Sequence, residues 1–198
     1  MSLLFESIKL KDGEYFNLLY HEQRMNRSLK ELCGLQVNID LEEILRNAKT
    51  PQHGLYKCRI LYNDQAKEIE FAPYQVRPVR TLRVIEDDRI SYEFKFNDRK
   101  AINQLFELRN DCDDILIVKR GVVTDSSIAN IIFKRNKTWY TPSNPLLKGT
   151  MRSKLLERKL IQEEEIPLVE ISNFESFKLI NAMLEFESSE QHVSNIVF

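Results

Sequence analysis

The stretch ILIVKRGVVTDSSIANIIFKRNKTWYTPSNPLLKGTMR, residues 115–152, decides the fold of this chain. It contains three short apolar or β-branched runs, at residues 115–118, 122–124 and 130–133. Each run is too short for a helix and therefore predicts a buried strand. Two prolines and Gly149 then break the chain before a helix that is predicted to begin at Thr150. An acid, two hydroxyls and an amide lie between the core strands, where they need partners, so this insert indicates a site of some kind.

The composition limits the class of protein. Lys+Arg 29 against Asp+Glu 30 gives a net charge of -1, so no overall field favours nucleic acid or an anionic membrane. The cysteines Cys33, Cys58 and Cys112 are odd in number and far apart, which argues against a disulfide framework. The sequence has no long apolar run and no signal-peptide pattern at its start. We therefore expect a cytoplasmic protein.

Several kinds of site lack sequence support. The three histidines lie far apart and no His or Cys pair has the spacing of metal ligands, so we expect no metal. The sequence has no G-x-S-x-G motif, which argues against a serine hydrolase of that type. It also has neither a P-loop nor a G-x-G-x-x-G motif, so nucleotide binding is not indicated.

The rest of the chain predicts a mixed fold in two parts. Further predicted strands are residues 3–10, 15–19, 55–62, 67–71, 90–96, 166–171 and 179–184, and predicted helices are residues 21–33, 40–48, 99–108 and 152–162. Strands and helices do not alternate regularly, which predicts the α+β class with two subdomains. The charged residues 86–89 mark the expected boundary between them. We expect an N-terminal α/β subdomain at residues 1–86 and a C-terminal β-rich subdomain at residues 87–198.

Three features could carry chemistry, and each also has a plain structural interpretation. Lys95 lies either on the solvated face of its predicted strand or as an amine in a partly dry cleft, where it could form a Schiff base. Asp125 is either a hydrogen-bonded turn residue or an anion that keeps a heterocyclic nitrogen protonated. Residues 149–151 either begin an ordinary helix or offer backbone N–H groups to a phosphate. Together the functional interpretations are the parts of a pyridoxal phosphate site.

Five segments resemble, in the same order, the motifs of the class IV aminotransferase family, the fold type IV pyridoxal-phosphate enzymes. They are Phe5-Glu6-Ser7-Ile8 with Asp12-Gly13, His21-x-x-Arg24-Met25, Lys95-x-x-Asp98-Arg99, VTDSSIANI at residues 123–131, and Thr141-Pro142 with LKGTMR at residues 147–152. The resemblance spans nearly the whole chain. It implies the two-subdomain fold of D-amino-acid aminotransferase-like enzymes, in a compact version because the sequence begins close to the first motif. It also implies a homodimer.

The resemblance implies roles for individual residues. Lys95 is expected to form the Schiff base with pyridoxal 5'-phosphate and to act as general acid and base. Asp125, which replaces the family's longer glutamate, is expected to keep the pyridine nitrogen charged. The residues expected to hold the phosphate are Arg24, Gly149, Thr150, Met151, Asn181 and Ala182. Arg77 or Arg80 either receives a carboxylate of the small-molecule substrate or is simply exposed.

The reaction depends on one further segment. LINAM at residues 179–183 resembles the corresponding motif of aminodeoxychorismate lyases. It predicts a lyase of folate biosynthesis that converts 4-amino-4-deoxychorismate to 4-aminobenzoate and pyruvate through the lysine Schiff base. The alternative is a pyridoxal-phosphate-dependent aminotransferase of D- or branched-chain amino acids. A cofactor-free binding or assembly protein is a third hypothesis, which the replacement at Asp125 and the short chain leave open.

Overall fold

The chain folds as two compact units in a computed structural model, which describes residues 3–64 and 67–198. The first unit comprises Met1–Val76 and Phe94–Asp98, and the second comprises Arg77–Glu93 and Arg99–Phe198. The chain thus leaves the first unit and returns to it for five residues. The subdomain boundary after residue 86 stays a prediction, since these units have other bounds.

An antiparallel sheet and two helices form the first unit. In chain order its elements are β1 (Leu4–Lys11), β2 (Glu14–Tyr15), α1 (Leu18–Cys33), α2 (Leu41–Arg46), β3 (Leu55–Tyr62) and β4 (Lys67–Pro73). The strands pair in the order β2–β1–β3–β4. Met25 and Leu29 of α1 are buried against Leu4, Ile8 and Ile60 of the sheet. This apolar face, repeated at helical spacing, is what holds α1 on the sheet.

The start of α1 differs from the prediction. Residues 15–19 do not continue as a strand, because β2 ends at Tyr15 and the helix begins at Leu18. Between them Asn17 adopts a left-handed conformation with φ 60. Asparagine tolerates this conformation better than most residues, and it turns the chain from the hairpin directly into the helix.

The predicted strand at residues 90–96 is also wrong. Ile90 and Tyr92 are buried as the alternation requires, but neither lies in a strand. Phe96 forms a single bridge to Leu4. The alternating pattern therefore records which side chains are buried, whereas a strand also needs a partner along its whole backbone.

A mixed sheet with short helices forms the second unit. Its elements are β5 (Leu82–Glu86), α3 (Lys100–Phe106), β6 (Asp114–Lys119), β7 (Val122–Ser126), β8 (Asn130–Arg135), β9 (Thr138–Pro142), α4 (Thr150–Glu157), β10 (Gln162–Glu164), β11 (Ser176–Ile180), β12 (Gln191–His192) and β13 (Ile196–Val197). The strands run in the order β10–β9–β8–β7–β6–β5–β13, and β11 pairs with β8 and β12. Sheets and helices are mixed without regular alternation, which confirms the predicted α+β class.

The central stretch forms β6 to β8 as predicted and continues with β9, and it supplies much of the core of the second unit. Leu116, Val123, Ile131 and Phe133 are fully buried.

The elements near the C-terminus agree less well with the predicted strands and helices. The predicted strand at residues 166–171 is wrong, because a 3₁₀ helix (Leu168–Asn173) follows Pro167 there. The helix α4 begins at Thr150 as predicted but ends at Glu157, before the predicted end at residue 162. The strand predicted at residues 179–184 lies earlier, as β11.

Candidate active site

The residues that the sequence indicated as cofactor-binding divide between the two units. Arg24 and Lys95 belong to the first unit. The second unit contains Asp125, Gly149, Thr150, Met151, Asn181 and Ala182.

In the first unit, Arg24 is held by a buried carboxylate. Its Nε donates to Glu6 Oε1 at 2.9 Å, and its Nη2 donates to Glu6 Oε2. His21 Nδ1 lies 2.6 Å from the same Oε2 atom. Glu6 and His21 are completely buried, and Arg24 is 7% exposed. A bidentate pair of this kind fixes the plane of a guanidinium as well as its position.

Glu6, His21 and Arg24 form a cluster in which neighbouring side chains affect the protonation of Glu6 and His21. Burial by itself raises the pKa of Glu6, but the charge of Arg24 and the hydrogen bonds from His21 and Arg24 outweigh it and lower that pKa to about 2. Burial lowers the pKa of His21 below its usual value, although Glu6 acts in the opposite direction. Glu6 is thus ionised and His21 neutral at pH 7. A neutral His21 that donates from Nδ1 has a bare Nε2, and no described residue donates to that buried atom.

Lys95 lies beside this cluster. Its backbone oxygen accepts a hydrogen bond from Phe5 N at 3.0 Å, and its Nζ atom lies 4.6 Å from the centroid of the Phe5 ring. The charge of Lys95 is one of the influences that lower the pKa of His21. Lys95 is half-buried, so the interpretation of this residue as part of a solvated strand face does not describe its surroundings.

In the second unit, Asp125 is a buried carboxyl at the end of β7. It is 5% exposed, and its two oxygens accept hydrogen bonds from Asn130 Nδ2 at 2.7 Å and from Leu147 N at 3.0 Å. Burial raises the pKa of Asp125 to about 7, against the opposing effects of these bonds and of the charge of Arg152. A cationic partner would offset this burial. A carboxylate has room for a further donor, because its two oxygens offer about four lone-pair sites.

The segment before and into α4 is packed without spare volume. Gly149, Thr150 and Met151 are all buried. A Cβ atom added to Gly149 would lie 2.0 Å from Asn130 Oδ1. The backbone of Gly149 is in an ordinary conformation, with φ -71, so glycine is required here for space rather than for backbone geometry.

Arg152 follows this segment inside α4. It is 3% exposed, and its Nη2 donates to Pro142 O at 2.9 Å and to Glu163 Oε1 at 2.5 Å. The sequence motif contains Arg152, but no role was predicted for it. Its contact with Pro142 ties the helix to the end of β9, and its charge acts on Asp125.

The remaining predicted residues have different surroundings. The Asn181 side chain belongs to its own turn, where Oδ1 accepts from Met183 N at 2.8 Å and from Leu184 N at 2.9 Å. Its Nδ2 donates to Ile128 O at 3.2 Å. Arg77 and Arg80 are exposed, and the backbone N–H of Arg80 donates to Asp113 at 2.8 Å. A role in phosphate or substrate binding stays a prediction for all of these residues.

Two residues of the clusters were missed as participants although their motifs were recognised. Glu6 stands in the first motif and Asn130 in the fourth. Their partners, Arg24 and Asp125, were both predicted to bind the cofactor. A signal was present in each case, since a carboxylate inside an apolar strand and an amide at the start of a buried strand both require hydrogen-bond partners.

The side chains present fit pyridoxal phosphate. The first unit offers an amine near a buried guanidinium, and these groups suit an aldehyde and a phosphate. The second unit offers a buried carboxyl for a ring nitrogen and a helix N-terminus for an anion. Burial raises the pKa of Asp125 to about 7, and a cationic ring beside it would stabilise its ionised form.

The chain belongs to the class IV aminotransferase family. The sequence profile described as "Amino-transferase class IV" matches residues 3–187. This match confirms the predicted family, the predicted fold and the prediction of an enzyme that uses pyridoxal phosphate. It leaves the cofactor-free hypothesis without support.

Three proteins are similar to this chain over most of their length. The chain is 43% identical over 182 residues to an uncharacterized protein of Haemophilus influenzae, covering 91% of this chain and 97% of that protein. It is 39% identical to the crystal structure of a "putative 4-amino-4-deoxychorismate lyase" from Haemophilus somnus, with a TM-score of 0.87 and coverage of 92% and 97%. It is 31% identical to a Schizosaccharomyces pombe protein named "Putative aminodeoxychorismate lyase", covering 88% of this chain and 82% of that protein.

None of the helices in residues 3–64 and 67–198 has the length and apolar character needed to cross a bilayer.

Proposed function

We propose that this enzyme is a 4-amino-4-deoxychorismate lyase, which releases 4-aminobenzoate and pyruvate. The observation that carries the proposal is the similarity to the Haemophilus somnus protein, at 39% identity over nearly the full length of both chains. The Schizosaccharomyces pombe relative, at 31% identity, bears a name of the same reaction. The LINAM segment at residues 179–183 supports the same choice within the family.

Pyridoxal phosphate supplies an electron sink when it is bound. The groups that would hold its phosphate are the Arg24 guanidinium, oriented by Glu6, in the first unit and the backbone N–H groups at Thr150 and Met151 in the second. The ionised Asp125 carboxylate would accept a hydrogen bond from the protonated ring nitrogen and so keep that nitrogen charged. At this turn the phosphate would be contacted by the backbone N–H of Ala182, because the side chain and the backbone N–H of Asn181 are both engaged within the turn.

Lys95 would hold the cofactor, and its amine would move the proton at the substrate carbon. The Phe5 ring, 4.6 Å from Nζ, gives Lys95 an apolar neighbour that limits its hydration. The substrate carboxylate is received by Arg77 or Arg80, both exposed. We also propose a cytoplasmic homodimer in folate biosynthesis, as in the family that the motifs indicate.

The decisive experiment uses cofactor-loaded protein and 4-amino-4-deoxychorismate without any keto-acid acceptor. We expect repeated turnover to 4-aminobenzoate and pyruvate, because the lyase reaction consumes no acceptor. Turnover should disappear in Lys95→Ala, and borohydride reduction followed by mass spectrometry should locate the cofactor on Lys95. The exposed Lys67→Ala is the matched control and should keep full turnover.

An aminotransferase of D- or branched-chain amino acids is the second candidate, and the family description itself supports it. An aminotransferase stops after one half-reaction when no acceptor is present. Half-reactions with D-alanine or a branched-chain amino acid, without release of 4-aminobenzoate, would therefore move the assignment to that class.

A further inference from the structure

Asn130 contacts two parts of the candidate site with one side chain. It begins β8 and faces Asp125 of β7 in the sheet register. Its Nδ2 donates to Asp125 Oδ1 at 2.7 Å and to Leu147 O at 2.8 Å. Asn130 is 5% exposed, so its amide is largely shielded from bulk water.

The other end of the same amide lies against the start of α4. Asn130 Oδ1 occupies the space that a Cβ atom of Gly149 would need, at 2.0 Å. The chain between Leu147 and Gly149 is thus fixed to Asn130 both by a hydrogen bond and by close packing. Asp125 accepts a second hydrogen bond from Leu147 N, which closes the network around the carboxyl group.

We propose that Asn130 is a positioning residue, which orients the Asp125 carboxylate toward the cofactor ring and holds the segment that carries Gly149 and Thr150 in register with it. The inference rests on the proposed use of pyridoxal phosphate by this site. It assigns a role to a side chain that touches neither the ring nor the phosphate in that scheme.

The hydrogen-bond chemistry explains why an amide suits this position. Asn130 and Leu147 each present a donor to a different oxygen of Asp125, and two donors favour the ionised carboxylate over the protonated acid. Asn130 cannot titrate, so its donation does not depend on pH. Arg152 is the charged group that acts on Asp125 from α4. Without Asn130, the ionised carboxylate would rely on the backbone N–H groups of Leu146 and Leu147 and on the charge of Arg152.

The geometry also bears on the replacement of the family's glutamate by Asp125. A shorter side chain has fewer rotatable bonds, and here both of its oxygens are engaged. The direction of the carboxylate is therefore set by Asn130 and Leu147. Loss of one of them should change its ionisation and direction together.

The test compares Asn130→Ala and Asn130→Ser with the native chain. Carboxyl NMR titration of the full-length, cofactor-free protein, assigned with Asp125→Asn, gives the pKa of Asp125. We expect each variant to raise that pKa by about one pH unit, because a hydrogen bond to a charged group is lost. Asn144→Ala, which changes an exposed asparagine of the loop before Gly149, is the control and should leave the pKa unchanged.

A second measurement follows pyridoxal phosphate binding by absorbance. At about pH 7 the variants should bind about fivefold more weakly than the native chain, and the deficit should shrink as the pH rises toward about 9, where Asp125 is ionised again. An unchanged Asp125 pKa in a folded variant, or a deficit that is the same at every pH, would overturn the proposal. If the native chain bound no pyridoxal phosphate, the proposed function would fail, whereas the titration would still decide whether Asn130 controls Asp125.

Discussion

Glu6 binds Arg24 through both oxygens of its carboxylate, in the interior of the first unit. The residue expected to hold the cofactor phosphate is therefore oriented before any ligand arrives. Neither partner can be removed without leaving the other as a buried charge.

Glu6→Gln should strongly destabilise the protein. The variant leaves the buried Arg24 with a neutral partner, and breaking a buried ion pair costs roughly 3–5 kcal/mol. Urea unfolding of the cofactor-free protein measures the effect. Glu68→Gln, on the exposed edge of β4, is the control and should change the free energy of unfolding by less than about 0.5 kcal/mol. Equal stability of the two variants would mean that the pair contributes nothing.

The same carboxylate should make the protein sensitive to acid. The pKa of Glu6 is lowered from 4.5 to about 2, so the unfolded chain binds its proton more readily than the folded protein does. The resulting stabilisation, about 3 kcal/mol, is fully present above 4.5 and is lost as the pH falls through about 2. Unfolding free energies of native protein and Glu6→Gln should therefore converge toward low pH. Parallel curves would contradict the assignment.

Asp125 should give the opposite dependence. Its pKa is raised from 3.8 to about 7, so the folded protein holds the proton more tightly than the unfolded chain and loses stability as the pH rises through that window. Between about pH 6.5 and about pH 8 the cofactor-free protein should lose about 0.8 kcal/mol from this group. Denaturant unfolding at both values checks the change, and Asp125→Asn should remove this contribution. A native chain whose stability matched the variant's pH dependence would show that Asp125 does not titrate there.

Gly149→Ala should destabilise the protein through Asn130 alone. The new methyl group would overlap Asn130 Oδ1, and overpacking of a buried position costs about 1–3 kcal/mol. In an Asn130→Ala background the obstacle is absent, so the same change at Gly149 should then cost much less. A double-mutant cycle of unfolding free energies measures the coupling. Additive changes in the free energy of unfolding would show that the new methyl group does not clash with Asn130.

Lys95→Met should raise the pKa of His21. The charge of Lys95 disfavours the protonated imidazole, and its removal relieves that effect while burial continues to lower the pKa. NMR titration of the His21 ring in cofactor-free protein detects the change. Lys67→Met, at an exposed position of β4, should leave His21 unaffected. The same response in both variants would contradict a specific proximity of Lys95 to His21.

The fold was predictable where the sequence pattern is set by the core. The runs at residues 115–118, 122–124 and 130–133 consist mainly of apolar or β-branched residues and are almost entirely buried, so β6 to β8 were found from their own residues. Residues 90–96 alternate just as clearly, yet most of that stretch forms no strand. Strand formation depends on a neighbour that is distant in sequence, and no local pattern reports it. The helix after Asn17 was placed too late because a left-handed residue can end a hairpin without glycine.

The candidate site was predictable as a set of residues but not as a network. The motifs named Arg24, Lys95 and Asp125 as expected participants. They did not indicate that Glu6 and Asn130 hold two of them, because those contacts depend on how β1 meets α1 and on how the segment before α4 returns to β8. These contacts join residues that are distant in the sequence, so they depend on the whole fold and not on any local sequence pattern.

The return of Phe94–Asp98 to the first unit has a consequence for synthesis on the ribosome. All strands and helices of the first unit leave the ribosome before Phe96, which forms a bridge to Leu4. The first unit is still incomplete at that point, because Arg77–Glu93 of the second unit are synthesised in between. Domains usually fold in order as they are synthesised. Here the first unit can be completed only after Arg77–Glu93 of the second unit have been synthesised. Lys95 thus joins Phe5 only after most of the first unit has left the tunnel, which delays the appearance of the reactive amine in its folded setting.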